Sequence, residues 1–299
     1  MLDLEASSVV LLRPGGVDPR VLVLRAGDEV DGFAVLSERF VLLLDTFSTP
    51  ELARQALDLL RPLLAGRPLV VLNTHADLDH AWGNRVFAAG GDWPSPIIGH
   101  REAAARLTGE TERAKLERQQ GANPRYANVR LVPPSILVGD HLRLAGGDLS
   151  LDLLHTPGHT QDHLAVWLPE LRTLLAGDAA EFPFPHVQGG ANLPKLRASL
   201  RRLIALDPLT VLACHGQTTQ ADLPGLNLAY FDRIEAAVRA VEPLDAGADD
   251  LPQRIGFTYP EALAWLGADP ERTAPFYADF HADAVRAMTE WVQAGGGAH

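Results

Sequence analysis

From its first residues the chain alternates short apolar runs with turn residues. Ser8-Val-Val-Leu-Leu12, Arg20-Val-Leu-Val-Leu24, Phe33-Ala-Val-Leu36 and Phe40-Val-Leu-Leu-Leu44 each have the length of a strand. Apolar runs of this length bounded by Gly, Pro or Asp predict buried or half-buried strands, and Pro-Gly-Gly at 14–16 predicts a hairpin turn between the first two. Ser48-Thr-Pro-Glu51 sets a capping hydroxyl before a proline suited to a first helical turn, so a helix is expected to open there and run to about Leu64. Leu69-Val-Val-Leu72 is the next strand.

The later chain repeats this alternation. Pro96-Ile-Ile-Gly-His100 predicts a strand that feeds a polar helix from about Arg101 to Gln120. Strands are expected at Leu149–Leu154, Leu164–Leu168, Thr173–Ala176 and Thr210–Ala213, and helices at Leu193–Leu206 and Leu226–Val241. From Tyr259 to Val292 the pattern is helical with a break at Asp269-Pro270, and Gly295 to His299 reads as a frayed end. The early meander of strands is not a simple strand–helix–strand series. It predicts an α/β fold in which two mixed sheets pack together with helices outside. With no fixed-period repeat and no clear linker, 299 residues suit a catalytic domain at 1–222 with a helical extension at 223–299 packed on it.

Composition narrows the partners. Hydrophobic residues make up 46% and charged residues 21%, as in an ordinary globular protein, and the formal net charge is -12. A surface so acidic disfavours nucleic acid, which needs a concentrated basic face. The most charged stretch, Glu110 to Arg118, mixes signs and reads as a solvated helix face. The single cysteine, Cys214, allows no intrachain disulfide and is expected to be a small buried residue. The start lacks the basic and apolar regions of a signal peptide, and no apolar run approaches the ~20 residues that span a bilayer. A cytoplasmic protein with a small-molecule substrate and no membrane or nucleic-acid partner is therefore expected, with monomer and homodimer both open.

The candidate chemistry sits where strands end. Asn73-Thr-His-Ala-Asp-Leu-Asp-His-Ala-Trp-Gly-Asn84 follows an apolar strand and crowds His75, Asp77, Asp79 and His80 into six residues. Three further strand ends lead to His159 in His155-Thr-Pro-Gly-His-Thr160, Asp178 in Leu175-Ala-Gly-Asp178, and His215 in Ala213-Cys-His-Gly216. A loop fixed by the strand behind it holds a side chain with the precision that metal coordination demands. In extended backbone 75, 77 and 79 point one way, and a turn at Asp79-His80 would aim those two at a second point nearby.

These four motifs, in this order, resemble the metallo-β-lactamase superfamily of dinuclear metallohydrolases over roughly residues 8–220. The resemblance implies an αβ/βα four-layer sandwich of two mixed β-sheets flanked by helices. It also implies that His75 and His159 bind one ion, with Asp77 in the place of the family's second histidine. Asp79, His80 and His215 would bind a second ion, Asp178 would bridge the pair, and Asp79 would orient the nucleophile and accept its proton. The implied reaction is hydrolysis of a small ester, thioester, lactone or phosphoester by a hydroxide shared between two divalent cations. A bridging aspartate is foreign to the true β-lactamase branch and closer to the glyoxalase II pattern.

Asp77 is the departure from that pattern. If it ligates, three carboxylates, four histidines, two divalent ions and a hydroxide come close to neutrality. Such a set moves preference from zinc, the family's commonest ion, towards manganese or iron. The alternative is that Asp77 stops short of the ion and binds water or His75. Flavodiiron proteins also place a carboxylate there, which keeps a di-iron redox protein as a second reading, although no flavodoxin-like domain follows; a non-catalytic metal-binding module is the third.

Several neighbours have expected supporting places. Asp162 either bonds a ligand imidazole or is a turn carboxylate, His163 starts a strand, and Asp45 either buttresses the cluster or ends its strand. Trp82, Phe182, Phe184 and His186 either line a substrate pocket or pack in the core. His100 is expected to end a strand without binding metal. His281-Ala-Asp283 repeats the first letters of the cluster within a helical pattern and is read as surface.

Overall fold

The computed structural model describes residues 8–241 and 243–297. The strands are β1 Val9–Leu12, β2 Val21–Ala26, β3 Val30–Leu36, β4 Val41–Leu44, β5 Leu69–Leu72, β6 Ile97–His100, β7 Ile136–Val138, β8 His141–Ala145, β9 Ser150–His155, β10 Leu164–Leu168, β11 Thr173–Gly177 and β12 Thr210–Ala213. The helices are α1 Pro50–Leu64, α2 Leu78–Ala81, α3 Arg101–Thr108, α4 Glu110–Ala122, α5 Leu193–Ile204, α6 Leu223–Val241, α7 Leu251–Arg254, α8 Tyr259–Leu266 and α9 Tyr277–Gln293.

Two compact units result. The larger holds the described chain up to His155 together with Asp162–Leu175, and the smaller holds Thr156–Gln161 and the chain from Ala176 onward. In the larger unit one sheet has the order β1-β2-β3-β4-β5-β6-β7. Its first four strands are antiparallel neighbours, and from β4 to β7 the pairing is parallel. The fully apolar β4, with every residue buried, is what a strand covered on both faces requires. A second, five-stranded sheet runs β12-β11-β10-β9-β8, with antiparallel pairing from β8 to β11.

Register decides where the polar loops emerge. Leu44 of β4 stands opposite Leu72 of β5, and Leu72 opposite Ile98 of β6. Parallel pairing therefore brings the carboxyl ends of three strands to one sheet edge, where Asp45 and the cluster from Asn73 follow directly and His100 ends β6. Helix α1 begins as the sequence predicts, with the Thr49 hydroxyl accepting the Leu52 N–H and Pro50 in the first turn.

The smaller unit is built on helices. Tyr230 of α6, Phe184 and His281 of α9 form its aromatic centre, with Phe184 stacked on Tyr230 at 4.4 Å between ring centroids. The surface reading of His281 is wrong: the ring is fully buried. Its Nδ1 lies 2.8 Å from the Tyr230 hydroxyl and its Nε2 2.7 Å from the Phe257 carbonyl, so both nitrogens are satisfied by a neutral imidazole. The residue is a packed hydrogen-bonding group of the core, whereas Asp283 of the same triplet is partly exposed and paired with His186.

Other differences are local. The polar helix expected from Arg101 to Gln120 is two helices, α3 and α4, divided at Gly109. Nor is Glu110–Arg118 wholly solvated, because Glu112 and Leu116 are buried and Glu112 accepts the Trp82 indole N–H at 3.2 Å. Strands β7 and β8 and the single-turn α7 fall outside the expected elements, being short and with little apolar run to mark them.

Candidate metal centre

The larger unit contributes the opening cluster. Its turn is a helix: Asp77 is the N-cap of α2, and its carbonyl accepts the N–H groups of His80 and Ala81 at 3.1 and 3.0 Å. That one turn reorients Asp79 and His80 relative to His75 and Asp77. His80 Nε2 then lies 3.4 Å from Asp79 Oδ2, and His75 Nε2 lies 3.6 Å from Asp77 Oδ2.

Beneath the cluster Asp45 organises both imidazoles. It is buried, sits at φ 67°, and accepts the Thr74 N–H at 2.7 Å. Its Oδ2 accepts from Thr74 Oγ1 at 2.8 Å and faces His80 Nδ1 at 2.9 Å, while His75 Nδ1 lies 3.0 Å from Thr74 Oγ1. A carboxylate only accepts, so His80 carries its proton on Nδ1. The threonine hydroxyl, having donated to Asp45, accepts from His75 Nδ1 in turn. Both rings thus present an unprotonated Nε2, the form that binds a cation. Asp45 is the buttress that the sequence left open.

Asp77 has a partner that no motif signalled. Its Oδ1 is bonded by the Arg106 guanidinium of α3, whose other arm reaches Asp162 Oδ1 at 2.6 Å. Asp162 is fully buried, and its second oxygen accepts the Ala76 N–H at 2.7 Å. Burial opposes the charge on Arg106, but Asp77 and Asp162 outweigh it and hold the guanidinium protonated. Asp162 therefore ties the backbone of the cluster to Arg106, whereas the sequence had it either bonding a ligand imidazole or sitting in a turn. The buried His163 packs its ring 5.3 Å from that of His75.

The smaller unit holds His159, Asp178 and His215. Asp178 Oδ2 lies 3.5 Å from His159 Nε2 and 3.4 Å from His215 Nε2, so one carboxylate oxygen stands beside two imidazoles. His159 Nδ1 faces the His186 carbonyl at 3.2 Å, which can only accept, and so Nε2 is again the lone-pair nitrogen. The loop before His159 is held tightly against α5. Gly158 adopts φ 141°, and a Cβ there would fall 2.3 Å from the Leu196 backbone.

Sequence reasoning did not find Glu181, which is fully buried three residues after Asp178. Burial, then the Asp178 charge, push its carboxyl up to about 7, with His215 and His159 pulling the other way. Trp82 and Phe184 are fully buried core residues. His100 caps α3, its Nδ1 accepting the Glu102 N–H, and stacks on His155 at 4.1 Å.

These donors fit a divalent cation. Four imidazole–carboxylate pairs stand 3.4 to 3.6 Å apart, longer than an ordinary N–H···O hydrogen bond of about 2.9–3.0 Å. Two ligands of one tetrahedral ion, each about 2.0–2.1 Å from it, lie about 3.3 Å from each other.

The family model of the metallo-beta-lactamase superfamily matches residues 27–215. The chain belongs to this superfamily. A hydroxyacylglutathione hydrolase of Rhodospirillum rubrum is 28% identical over 268 residues, covering 81% of this chain and 93% of that protein. An acyl-coenzyme A thioesterase of Gallus gallus is 30% identical over 141 residues, 44% of this chain and 49% of its own length. Among solved structures, a β-lactamase domain protein from Burkholderia ambifaria aligns with a TM-score of 0.67 at 18% identity, covering 95% of this chain and 91% of that one. A metallo-β-lactamase family protein from Thermus thermophilus aligns at 0.63 and 20%, covering 96% and 93%. The fold is the αβ/βα sandwich of this superfamily.

Proposed function

We propose that the protein is a dinuclear metal-dependent hydrolase acting on a small thioester. In this reading His75, Asp77 and His159 hold one ion, Asp79, His80 and His215 hold the other, and Asp178 joins the two. The observation that carries it is Asp178, whose single oxygen Oδ2 stands within 3.5 Å of two ligand-type nitrogens. When bound, the two cations lower the pKa of a shared water and polarise the scissile bond at neutral pH.

The chain's own residues do the rest. The Asp45–Thr74 pair holds the His75 and His80 rings in the tautomer with Nε2 unprotonated. Asp79, on the first turn of α2, orients the attacking water and takes its proton. Arg106 fixes Asp77 through Oδ1, leaving Oδ2 on the His75 side. Esters, lactones and phosphoesters share the same attack, and the thioester is favoured because two relatives are named for hydroxyacylglutathione and acyl-coenzyme A hydrolysis.

The test is a panel of a glutathione thioester, an acyl-coenzyme A, an aryl ester, a lactone and a phosphodiester, with zinc, manganese or iron(II). Metal-dependent thiol release, lost on chelation and restored by adding the ion, is expected. Turnover of the phosphodiester or lactone with no thiol release would overturn the substrate class. The Asp77 carboxylate also favours a di-iron redox protein; bound zinc or manganese with no oxygen-dependent change in the optical spectrum would remove that alternative. Turnover of any panel member that follows the metal would remove a purely binding role.

A further inference from the structure

Glu181 lies outside the superfamily motifs, and its surroundings are those of a group held ready for a ligand. Its backbone is pinned to α6: its N–H donates to Asn227 Oδ1 at 3.0 Å, and Asn227 Nδ2 donates to the Glu181 and Pro183 carbonyls at 2.8 and 3.1 Å. Its side chain is fixed from α9, where the Tyr277 hydroxyl donates to Oε2 at 2.8 Å. The other oxygen, Oε1, is buried with no hydrogen-bond partner. Buried polar atoms are nearly always satisfied, and an isolated carboxyl oxygen is among the costliest to leave bare. In the same part of the smaller unit, one oxygen of Glu181, one of Asp178 and a ring nitrogen of His159 all lie within 4.8 Å of one another.

We propose that Glu181 is a further metal ligand, completing a His159–Asp178–Glu181 set that favours a hard, oxygen-preferring ion such as manganese(II). Three donors within that span fit around one ion, since neighbouring ligands of a six-coordinate ion stand about 3 Å apart and opposite ones about 4.2 Å, from bond lengths near 2.1 Å. A second carboxylate beside one imidazole makes the set mostly oxygen, which selects manganese over softer-ligand zinc sites. Tyr277 and Asn227 are positioning residues: they hold the carboxyl so that one oxygen faces Tyr277 and the other faces the ion. The proposal rests on the proposed function only in taking His159 and Asp178 as metal ligands.

The experiment uses the full chain stripped with chelator and dialysed, then titrated with manganese(II) and cobalt(II), with bound metal measured by elemental analysis and the cobalt absorption bands recorded. Glu181→Gln keeps an acceptor for Tyr277 but loses the anionic ligand. It should weaken manganese binding by at least about tenfold, as loss of a coordinating or supporting group does, alter the cobalt bands, and retain more zinc when zinc and manganese compete. The melting temperature of the stripped variant should match that of the parent, which separates ligation from folding. Glu181→Asp, which keeps the charge but retracts it by one methylene, provides a second reading and should also lose manganese. Manganese affinity and cobalt bands unchanged in both variants would make Glu181 a structural acid and overturn the proposal. If Asp178→Ala loses metal while Glu181→Gln keeps it, this proposal falls and the hydrolase reading stands; a parent chain that binds no ion would sink both.

Discussion

At the scale of residues, Asp77 carries the question of which metal the proposed site would hold. The sequence posed two choices, ligation or a contact with water or His75, and the structure adds a third partner. Arg106 takes Oδ1, so the pair Asp77–Arg106 is close to neutral, as the family's histidine would be, while Oδ2 stays on the side of His75 Nε2 at 3.6 Å. Asp77→His is expected to raise zinc retained after dialysis, measured by elemental analysis. An unchanged metal profile would show that Asp77 does not touch the ion. Arg106→Ala removes the charge that pairs with the fully buried Asp162, leaving that carboxylate only the Ala76 N–H. Breaking a buried pair from one side costs about 3 kcal/mol, and a urea titration should show a midpoint lowered to match. The candidate ligands could be singled out from sequence because their spacing and strand-end positions are local in sequence. Arg106 was not, because its partners lie 29 and 56 positions away and a polar helical stretch offers several arginines with no spacing rule to choose among them. Glu181 escaped for a related reason: nothing in Glu-Phe-Pro-Phe-Pro announces that the carboxyl will be buried against Tyr277, 96 positions on.

At the scale of elements, strands with dense apolar runs were readable and short amphipathic ones were not. β4 and β5 are recognisable from Leu and Val alone, whereas β8, His-Leu-Arg-Leu-Ala, is an exposed-to-intermediate strand whose alternation is too short to stand out. Helix α9 shows the same limit on individual residues: its apolar pattern was visible, but the burial of His281 on it depends on Tyr230 and Phe257 from other elements. That burial has a pH consequence. Desolvation lowers the pKa of His281 below its ordinary value, the Phe257 and Glu261 contributions opposing. The folded chain therefore binds fewer protons than the unfolded one, so this histidine's contribution is complete above the unfolded value of about 6.5 and is lost as pH falls through the lower folded value. Urea midpoints at pH 7.5 and 5.5 should drop more for the parent than for His281→Gln; equal drops would refute it. The loop at Gly158 offers a second test at this scale. Gly158→Ala would need a Cβ 2.3 Å from Leu196 at a φ of 141°, so α5 must shift or the loop must deform. His159 should be displaced, and metal affinity should fall along with the melting temperature.

At the scale of the whole molecule, a net charge of -12 sets how the chain meets its substrate. The same acidity that disfavours nucleic acid also repels glutathione and coenzyme A thioesters, which are themselves anionic, while leaving a neutral ester indifferent. Among the described residues no helix is long and apolar enough to cross a membrane. For an encounter in aqueous buffer, ionic strength decides how far that repulsion reaches. The Debye length shrinks from roughly 30 Å at 0.01 M to about 8 Å at 0.15 M, so salt screens the global field and leaves close contacts largely intact. If the thioester reading is right and the substrate's anionic part stays outside the metal centre, kcat/KM for an acyl-coenzyme A should rise over that range. For a neutral aryl ester it should stay constant, because the field does not act on it. Initial rates at sub-saturating substrate with metal held fixed give both numbers. A kcat/KM that falls with salt for the anionic thioester alone would instead reveal a local basic groove that outweighs the global charge, and would direct the search for the specificity residues to the arginines nearest the site, Arg106 first among them.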